Sequence, residues 1–249
     1  MIDIHSHIVF GVDDGPSTME ESIKMVSEAE KAGIKVIIAT PHFQEHLFDD
    51  KRVMENFMEL KQKAADYQVT LKIGSEIFIN PFISNLIYTG RSMTLDNSKY
   101  VLIEMPFGSI PVYCYETIFK LKLNNIHPII AHPERNRIFL KDFELFMEFL
   151  GRGCMIQVDA ASIIGVYGND VKNFTKRLIK LNMAHFVASD AHCANDYTNW
   201  YIKAYKKIEN WAGEEYADTL FNSNARNILD EKMEDFYEPA QQIKSSRIL

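Results

Sequence analysis

Short apolar runs recur along this chain, and each of several is closed or followed by a polar residue able to bind metal. Met1-Ile2-Asp3-Ile4 leads into His5-Ser6-His7, and Ile37-Ile38-Ala39-Thr40-Pro41 into His42. Leu71-Lys72-Ile73-Gly74-Ser75 leads into Glu76, Val101-Leu102-Ile103 into Glu104, and Pro128-Ile129-Ile130-Ala131 into His132. A last run, Phe186-Val187-Ala188-Ser189, leads into Asp190-Ala191-His192. Such runs read as strands near residues 2–5, 35–39, 70–76, 100–104, 128–131, 155–159 and 185–189. Residues i and i+2 of a strand share a face, so His5 and His7 can hold one ion together.

Helical periodicity fills the intervals. Ser17 and Glu20 have the spacing of a capping box, the apolar stripe Ile23, Val26, Ala29 and Ala32 follows, and Gly33 ends the helix. Further helices are expected near 51–67, 113–124, 142–151, 168–182, 198–211 and 215–229. Strands alternating with helices imply a parallel sheet covered by helices. Ligands at strand ends converge on one mouth if that sheet closes, whereas an open sheet gathers only those at its switch point. The expectation is therefore an α/β fold, a distorted seven-stranded (β/α) TIM-like barrel. Six such runs describe a polynuclear metal hydrolase.

Composition narrows this picture. With 249 residues, 47% of them hydrophobic, and no Ser/Gly- or Pro-rich stretch, the chain reads as one domain over 1–249, with the tail after about 237 peripheral. A net charge of -7 argues against a general nucleic-acid surface, and a cluster of divalent cations would neutralise part of it. Cys114, Cys154 and Cys193 are scattered, which suggests a reducing cytoplasm rather than a disulfide framework. No signal peptide is visible, and the apolar runs fall far short of the ~20 residues that cross a bilayer. A soluble cytoplasmic protein is expected.

His5-x-His7, Asp13-Asp14-Gly15, Thr40-Pro41-His42, Gly74-x-Glu76, Glu104, Ile130-Ala131-His132-Pro133-Glu134-Arg135-Asn136-Arg137 and Ser189-Asp190-Ala191-His192 together resemble the PHP (polymerase and histidinol phosphatase) superfamily. Within it, the chain is most similar to the manganese-dependent bacterial protein-tyrosine phosphatases of capsule and exopolysaccharide gene clusters. The resemblance runs from Met1 to about Leu229. It implies three metals: His5, His7 and Asp190 on the first, Glu76 bridging to a second completed by Glu104 and His132, and Asp14, His42 and His192 on the third. Asp13 stands as the alternative to Asp14. Arg135 matches the arginine used near the phosphate in this branch. The implied partner is a phosphorylated bacterial tyrosine autokinase with a tyrosine-rich tail.

Imidazole and carboxylate without thiolate suit Mn, Fe or Zn, and the preference for manganese comes from the resemblance alone. Arg135 can grip phosphoryl oxygens bidentately, and Arg137 is a candidate assistant. Phe107, with Ile110 and Pro111, follows Glu104 and is a candidate wall for a substrate phenyl ring. Asp159 ends the sixth strand and reads as a polar residue at the barrel mouth, with support of the ligands from behind as the alternative, and His46, His127 and His185 read as structural. Cysteine-based phosphatase chemistry needs Cys-x5-Arg, and no cysteine here has Arg six positions later. Three other readings compete: a histidinol-phosphate phosphatase, an exonuclease-like domain, and a non-catalytic metal-stabilised module. Histidinol-phosphate relatives typically carry His-Thr-His and Thr-Asp-His, where this chain has His5-Ser6-His7 and Thr40-Pro41-His42. Acidity and the absence of a polymerase module count against the second, and the intact ligand set against the third.

Overall fold

The computed structural model describes residues 1–43 and 49–230; His46 and the tail after Tyr237 lie outside the described residues. Its strands are β1 (Ile2–Ser6), β2 (Val36–Ala39), β3 (His42–Phe43), β4 (Thr70–Ile73), β5 (Glu76–Phe78), β6 (Tyr100–Glu104), β7 (His127–Ala131), β8 (Met155–Asp159) and β9 (Phe186–Ala188). Every ladder is parallel, as expected for strands separated by helices. The ladders form two sheets, β1-β2-β4 and β3-β5-β6-β7-β8-β9, rather than one continuous seven-stranded ring.

Two interruptions account for the difference. After β2 the chain meets Pro41, which has no N–H for a ladder. The expected strand over 70–76 breaks at Gly74-Ser75, where a Cβ on Gly74 would come within 3.0 Å of Leu95. Across the gap, Gly74 N donates to Ala39 O (2.8 Å) and Glu76 N to Pro41 O (3.1 Å), so β2 and β3 still run alongside β4 and β5. At the other edge, β1 meets the end of β9 through one bridge between Ser6 and Ala191. His7 N donates to Ala191 O (2.9 Å) and Asp190 N to His5 O (3.0 Å). Beneath that bridge the Asp3 carboxylate accepts from Ser189 N (2.9 Å) and Ser189 Oγ (2.5 Å).

The helix Met19–Lys31 is capped one residue later than the spacing first suggests. Thr18 Oγ1 accepts from Glu21 N, and Glu21 Oε2 accepts from Thr18 N and Ser17 N. Two overlapping hydroxyl-x-x-Glu strings exist here, and the one that buries Met25, Val26 and Ala29 prevails. Ala32 is the C-cap, and Gly33 follows at φ +78°. Helices at Asp50–Lys63, Cys114–Leu123, Phe143–Gly151, Asn169–Lys180 and Ile202–Ala212 stand where periodicity places them. Ile83–Tyr88, Arg137–Lys141 and Ala160–Ile164 are too short to show a period and escape it. The expected helix over 215–229 is interrupted by a π-helical turn, Thr219–Ser223. Another π-turn, Tyr197–Tyr201, turns two buried tyrosines onto β1. Tyr197 OH shares a hydrogen with Ser6 Oγ (2.7 Å), and Tyr201 OH donates to Ile2 O (3.0 Å).

Strands flanked this way are buried on both faces, which is why they read as continuous apolar runs. One large cluster joins strand residues such as Ile37, Val101, Ile130, Ile156 and Val187 to the helices. A smaller one unites residues from both sheets, including Ile4, Ile38, Leu102, Ile129 and Phe186, and is closed by Leu95, Ala225 and Ile228. Among the described residues no helix is long and apolar enough to cross a membrane.

Candidate metal centre

The polar residues that interrupt or terminate these strands converge. His5 lies in β1 and His7 just past it, and their Nε2 atoms are 3.2 Å apart, as shared-face placement requires. Glu104 ends β6 and His132 follows β7 directly, whereas His42 and Glu76 open β3 and β5 instead of closing strands. The breaks at Pro41 and Gly74-Ser75 let the chain restart with a ligand-type side chain in first position. His132 (φ 31°) and Asp190 (φ 50°) are left-handed, a strain concentrated at functional sites.

Four groups of candidate ligand atoms lie within 4.8 Å of one another: His5/His7/Asp190, His5/Glu76/His132, His42/Glu76/Glu104 and His7/Asp14/His42/His192. The first and last correspond to two of the implied sets. The middle set divides, with Glu104 beside His42 rather than beside His132. Depth also varies. His5 and His7 are fully buried, while Asp14 is 65% exposed and His192 32%, so the last group faces the opening.

Of the neighbouring aspartates, Asp14 joins a group, its Oδ1 lying 3.2 Å from His192 Nε2 and 3.5 Å from His42 Nε2. Asp13 instead accepts from His7 Nδ1 (2.8 Å), His42 N (3.1 Å) and Gly15 N (3.0 Å). Gly15 makes this turn possible, because a Cβ there would lie 2.1 Å from His7 O.

Three imidazoles are oriented through the nitrogen facing away from the centre. His7 Nδ1 meets Asp13, His5 Nδ1 meets Gln157 Oε1 (3.0 Å), and His192 Nδ1 meets Asp190 O (2.9 Å). An N–H on each Nδ1 leaves each Nε2 lone pair directed inward. Glu76 Oε2 sits among His5 Nε2 (3.3 Å), His7 Nε2 (3.4 Å) and His42 Nδ1 (3.0 Å), yet is buried without a bond of proper geometry. Lone pairs facing lone pairs in a buried space are the surroundings a cation requires, and the donor set fits divalent metal. Without a cation, the buried carboxylates draw protons onto the facing imidazoles instead. Burial alone would depress His5 and His132, but Glu76 and Asp190 acting on His5, and Asp159 and Glu76 on His132, raise them to about 9 and about 10. Burial raises Glu104, and the Glu76 charge raises it further.

Arg135 closes the short turn Pro133–Arg135 after His132. Its Nη1 donates to Asp190 Oδ2 (2.8 Å) and Asp159 Oδ2 (3.3 Å), so among the described residues Nη2 and Nε remain for another acceptor. Asp159 is fully buried and is more than a polar residue at the mouth. It accepts from Arg135 and from Gln157 Nε2 (3.0 Å), while Glu134 Oε1 accepts from Asp159 N (2.7 Å). Phe107 lies with its ring 4.7 Å from Arg135 Cζ and 5.8 Å from the His132 ring. Ile110 instead packs on the large core, and Pro111 O caps the next helix. The Arg137 side chain is exposed, and its backbone N holds Phe107 O (2.7 Å).

Gln157, Glu134 and Tyr167, whose ring lies 4.4 Å from Arg135 Cζ, were not read from sequence. For Gln157 a signal existed: in Met155-Ile156-Gln157-Val158-Asp159, Ile156 and Val158 face the large core, and Gln157 and Asp159 alternate away from it. The His127 ring lies tilted 5.3 Å from that of Tyr100 and His185 bonds the backbone of β8, both apart from the centre. Cys114 and Cys154 are buried, which pushes both thiols to about 12 and leaves them poor nucleophiles.

A family model described as capsular polysaccharide synthesis, CpsB/CapC, matches residues 1–230. The tyrosine-protein phosphatase YwqE of Bacillus subtilis (strain 168) is 32% identical over 252 residues, covering 100% of this chain and 98% of its own. The tyrosine-protein phosphatase CpsB of Streptococcus agalactiae is 32% identical over 238 residues, 92% of this chain and 98% of its own. A solved structure from work on YwqE of B. subtilis and CpsB of Streptococcus pneumoniae, described as unique metal-dependent tyrosine phosphatases, superposes with a TM-score of 0.89. It is 33% identical and covers 96% of this chain and 98% of that one. The chain therefore belongs to the CpsB/CapC family of capsular polysaccharide synthesis.

Proposed function

We propose that this protein is a metal-dependent phosphomonoesterase that removes phosphate from phosphotyrosine in proteins. The observation that carries the reading is Glu76 Oε2, buried within 3.4 Å of three imidazole nitrogens from His5, His7 and His42 yet without a hydrogen bond of proper geometry. His5, His7 and Asp190 would hold one ion, Glu76 with His132 and Glu104 a second, although Glu104 here stands nearer His42 than His132, and Asp14, His42 and His192 a third. Three divalent ions per chain follow, manganese by likeness to the branch, with iron or zinc compatible with the same donors. When bound, such ions acidify water and offset charge on phosphoryl oxygens.

The chain's own residues do the rest. Asp13, Gln157 and the Asp190 carbonyl fix the imidazole tautomers. Arg135, steadied by Asp159 and Asp190, donates its remaining N–H groups to the phosphoryl oxygens. Phe107 walls the leaving side. A phenol of pKa about 10 leaves far more readily than an alkanol, so little acid assistance is needed. The substrate is the phosphorylated tail of a bacterial tyrosine autokinase in capsule or exopolysaccharide synthesis, and the enzyme acts in the cytoplasm. Residues 1–249 make one domain. The two sheets form a distorted barrel of seven elements, counting β2 with β3 and β4 with β5; the β1–β9 bridge and the shared small core support it.

Steady-state kinetics of the Mn²⁺-loaded protein on a phosphotyrosine peptide, a phosphoserine peptide and histidinol phosphate test the reading. Preference for the first is expected, with loss of activity on chelation. Equal or greater kcat/KM on histidinol phosphate would replace it with the histidinol-phosphate phosphatase reading.

A further inference from the structure

Tyr167 lies between helices, in the turn Gly165-Val166-Tyr167-Gly168 that joins Ala160–Ile164 to Asn169–Lys180. Gly165 (φ 97°) caps the first helix and Gly168 (φ 94°) precedes the second. Both conformations are natural to glycine and strained for other residues. A Cβ at Gly165 would also press within 3.0 Å of Lys172. Gly168 N donates back to Gly165 O (3.2 Å), closing the turn. The turn thus has one defined shape, and that shape places the Tyr167 ring against Arg135.

Phe107 reaches the same guanidinium from a separate loop, itself anchored. Asn136 Nδ2 donates to Pro106 O (2.6 Å) and Ser109 O (3.1 Å), and Arg137 N to Phe107 O. Neither aromatic residue belongs to either hydrophobic cluster. Tyr167 is 37% exposed and Phe107 42%, so each keeps ring surface open beside the phosphate-gripping group. Core packing therefore accounts for neither ring. A substrate whose phosphate is attached directly to an aromatic ring would present that ring to these surfaces as Arg135 takes the phosphoryl oxygens, and an alkyl phosphate would not.

We propose that Tyr167 is a specificity-determining residue for aryl phosphates, its ring and that of Phe107 receiving the substrate phenyl group. The proposal rests on the tyrosine-phosphatase reading. Since Asp159, Asp190 and Phe107 still hold Arg135 without Tyr167, loss of this ring should affect the aryl group more than the phosphate.

The test compares the metal-loaded wild type with Tyr167→Ala and Tyr167→Phe. It measures KM and kcat on a phosphotyrosine peptide, Ki of inorganic phosphate, and calorimetric binding of a non-hydrolysable phosphonomethyl-phenylalanine peptide. For Tyr167→Ala we expect KM and peptide Kd to rise roughly tenfold, the scale of one lost aromatic pair. The phosphate Ki should stay within about twofold, and Tyr167→Phe should restore wild-type values. A parallel rise in Ki would show that Tyr167 acts only through Arg135, and unchanged KM and Kd would show that it meets no substrate; either result overturns the proposal. If Tyr167→Ala does not fold, Tyr167→Leu keeps the bulk without the aromatic face and carries the same expectation. Wild type inert on the phosphotyrosine peptide would instead sink the underlying reading, and the proposal with it.

Discussion

At the scale of single residues, the centre separates side chains that offer a lone pair from those that aim it. Asp13 and Asp14 are adjacent and chemically identical, yet one orients His7 and the other stands among His42 and His192. The backbone decides between them, because Gly15 must pass against His7 O and that passage fixes which carboxylate turns inward. Arg135 belongs to neither class. Burial opposes its charge, but Asp159 and Asp190 hold the guanidinium ionised across any working pH. Arg135→Ala should therefore leave metal content unchanged while lowering kcat/KM by roughly 100-fold, the cost of losing one preorganised donor to the transition state. Elemental analysis alongside kinetics checks both halves. Near-normal kcat/KM, or a loss of metal equal to the loss of activity, would remove Arg135 from the phosphate-binding role.

At the scale of elements, β8 and β9 are joined by a buried histidine whose neutral form is structural. His185 N donates to Ile156 O (2.8 Å), and Ile156 N donates to His185 Nδ1 (3.1 Å), so the imidazole acts as an acceptor. Burial pushes its pKa down to about 4. The unfolded chain then takes up a proton first, and the stability this group contributes is whole above about pH 6.5 and drains as pH falls toward 4. His185→Asn keeps an acceptor and removes the titration. Between about pH 7 and about pH 5 the wild type should lose on the order of 2 kcal/mol more than the variant in denaturant unfolding. Parallel curves would show that His185 does not titrate on unfolding. The same elements show what sequence can reveal. Strand positions and the residues at their ends were legible because apolar runs and short His/Glu/Asp strings are local features. The pairing of Glu104 with His42 was not, since it depends on how β3 and β5 restart after Pro41 and Gly74-Ser75. Tyr167 escaped for a related reason: a periodic pattern marks a strand end but not which loop folds back over it.

At the scale of the whole molecule, folding gathers five imidazoles and four carboxylates from segments spread between residues 5 and 192. Glu76 and Asp190 are held ionised although buried, and the surrounding imidazoles are driven toward protonation to balance them. Protons are a poor substitute for divalent ions here, because the imidazoles then repel one another across the same few ångströms; His7 stacks on His192 at 4.2 Å and lies 4.4 Å from His42. Metal binding should therefore stabilise the fold as well as arm the site. An ion held at a hundred times its dissociation constant adds about 2.7 kcal/mol, and in a chain of this size each kcal/mol moves Tm by about 2–4 °C. Chelation should lower Tm by at least roughly 5–10 °C, the effect of one such ion, and Mn²⁺ should restore it in step with an uptake near three ions per chain. Calorimetry with elemental analysis on one preparation reads both quantities. Uptake of one ion or fewer would sink the three-ion centre. Three ions with no change in Tm would mean that the apo site is already satisfied, and that the lone-pair opposition around Glu76 is not what calls for the cation.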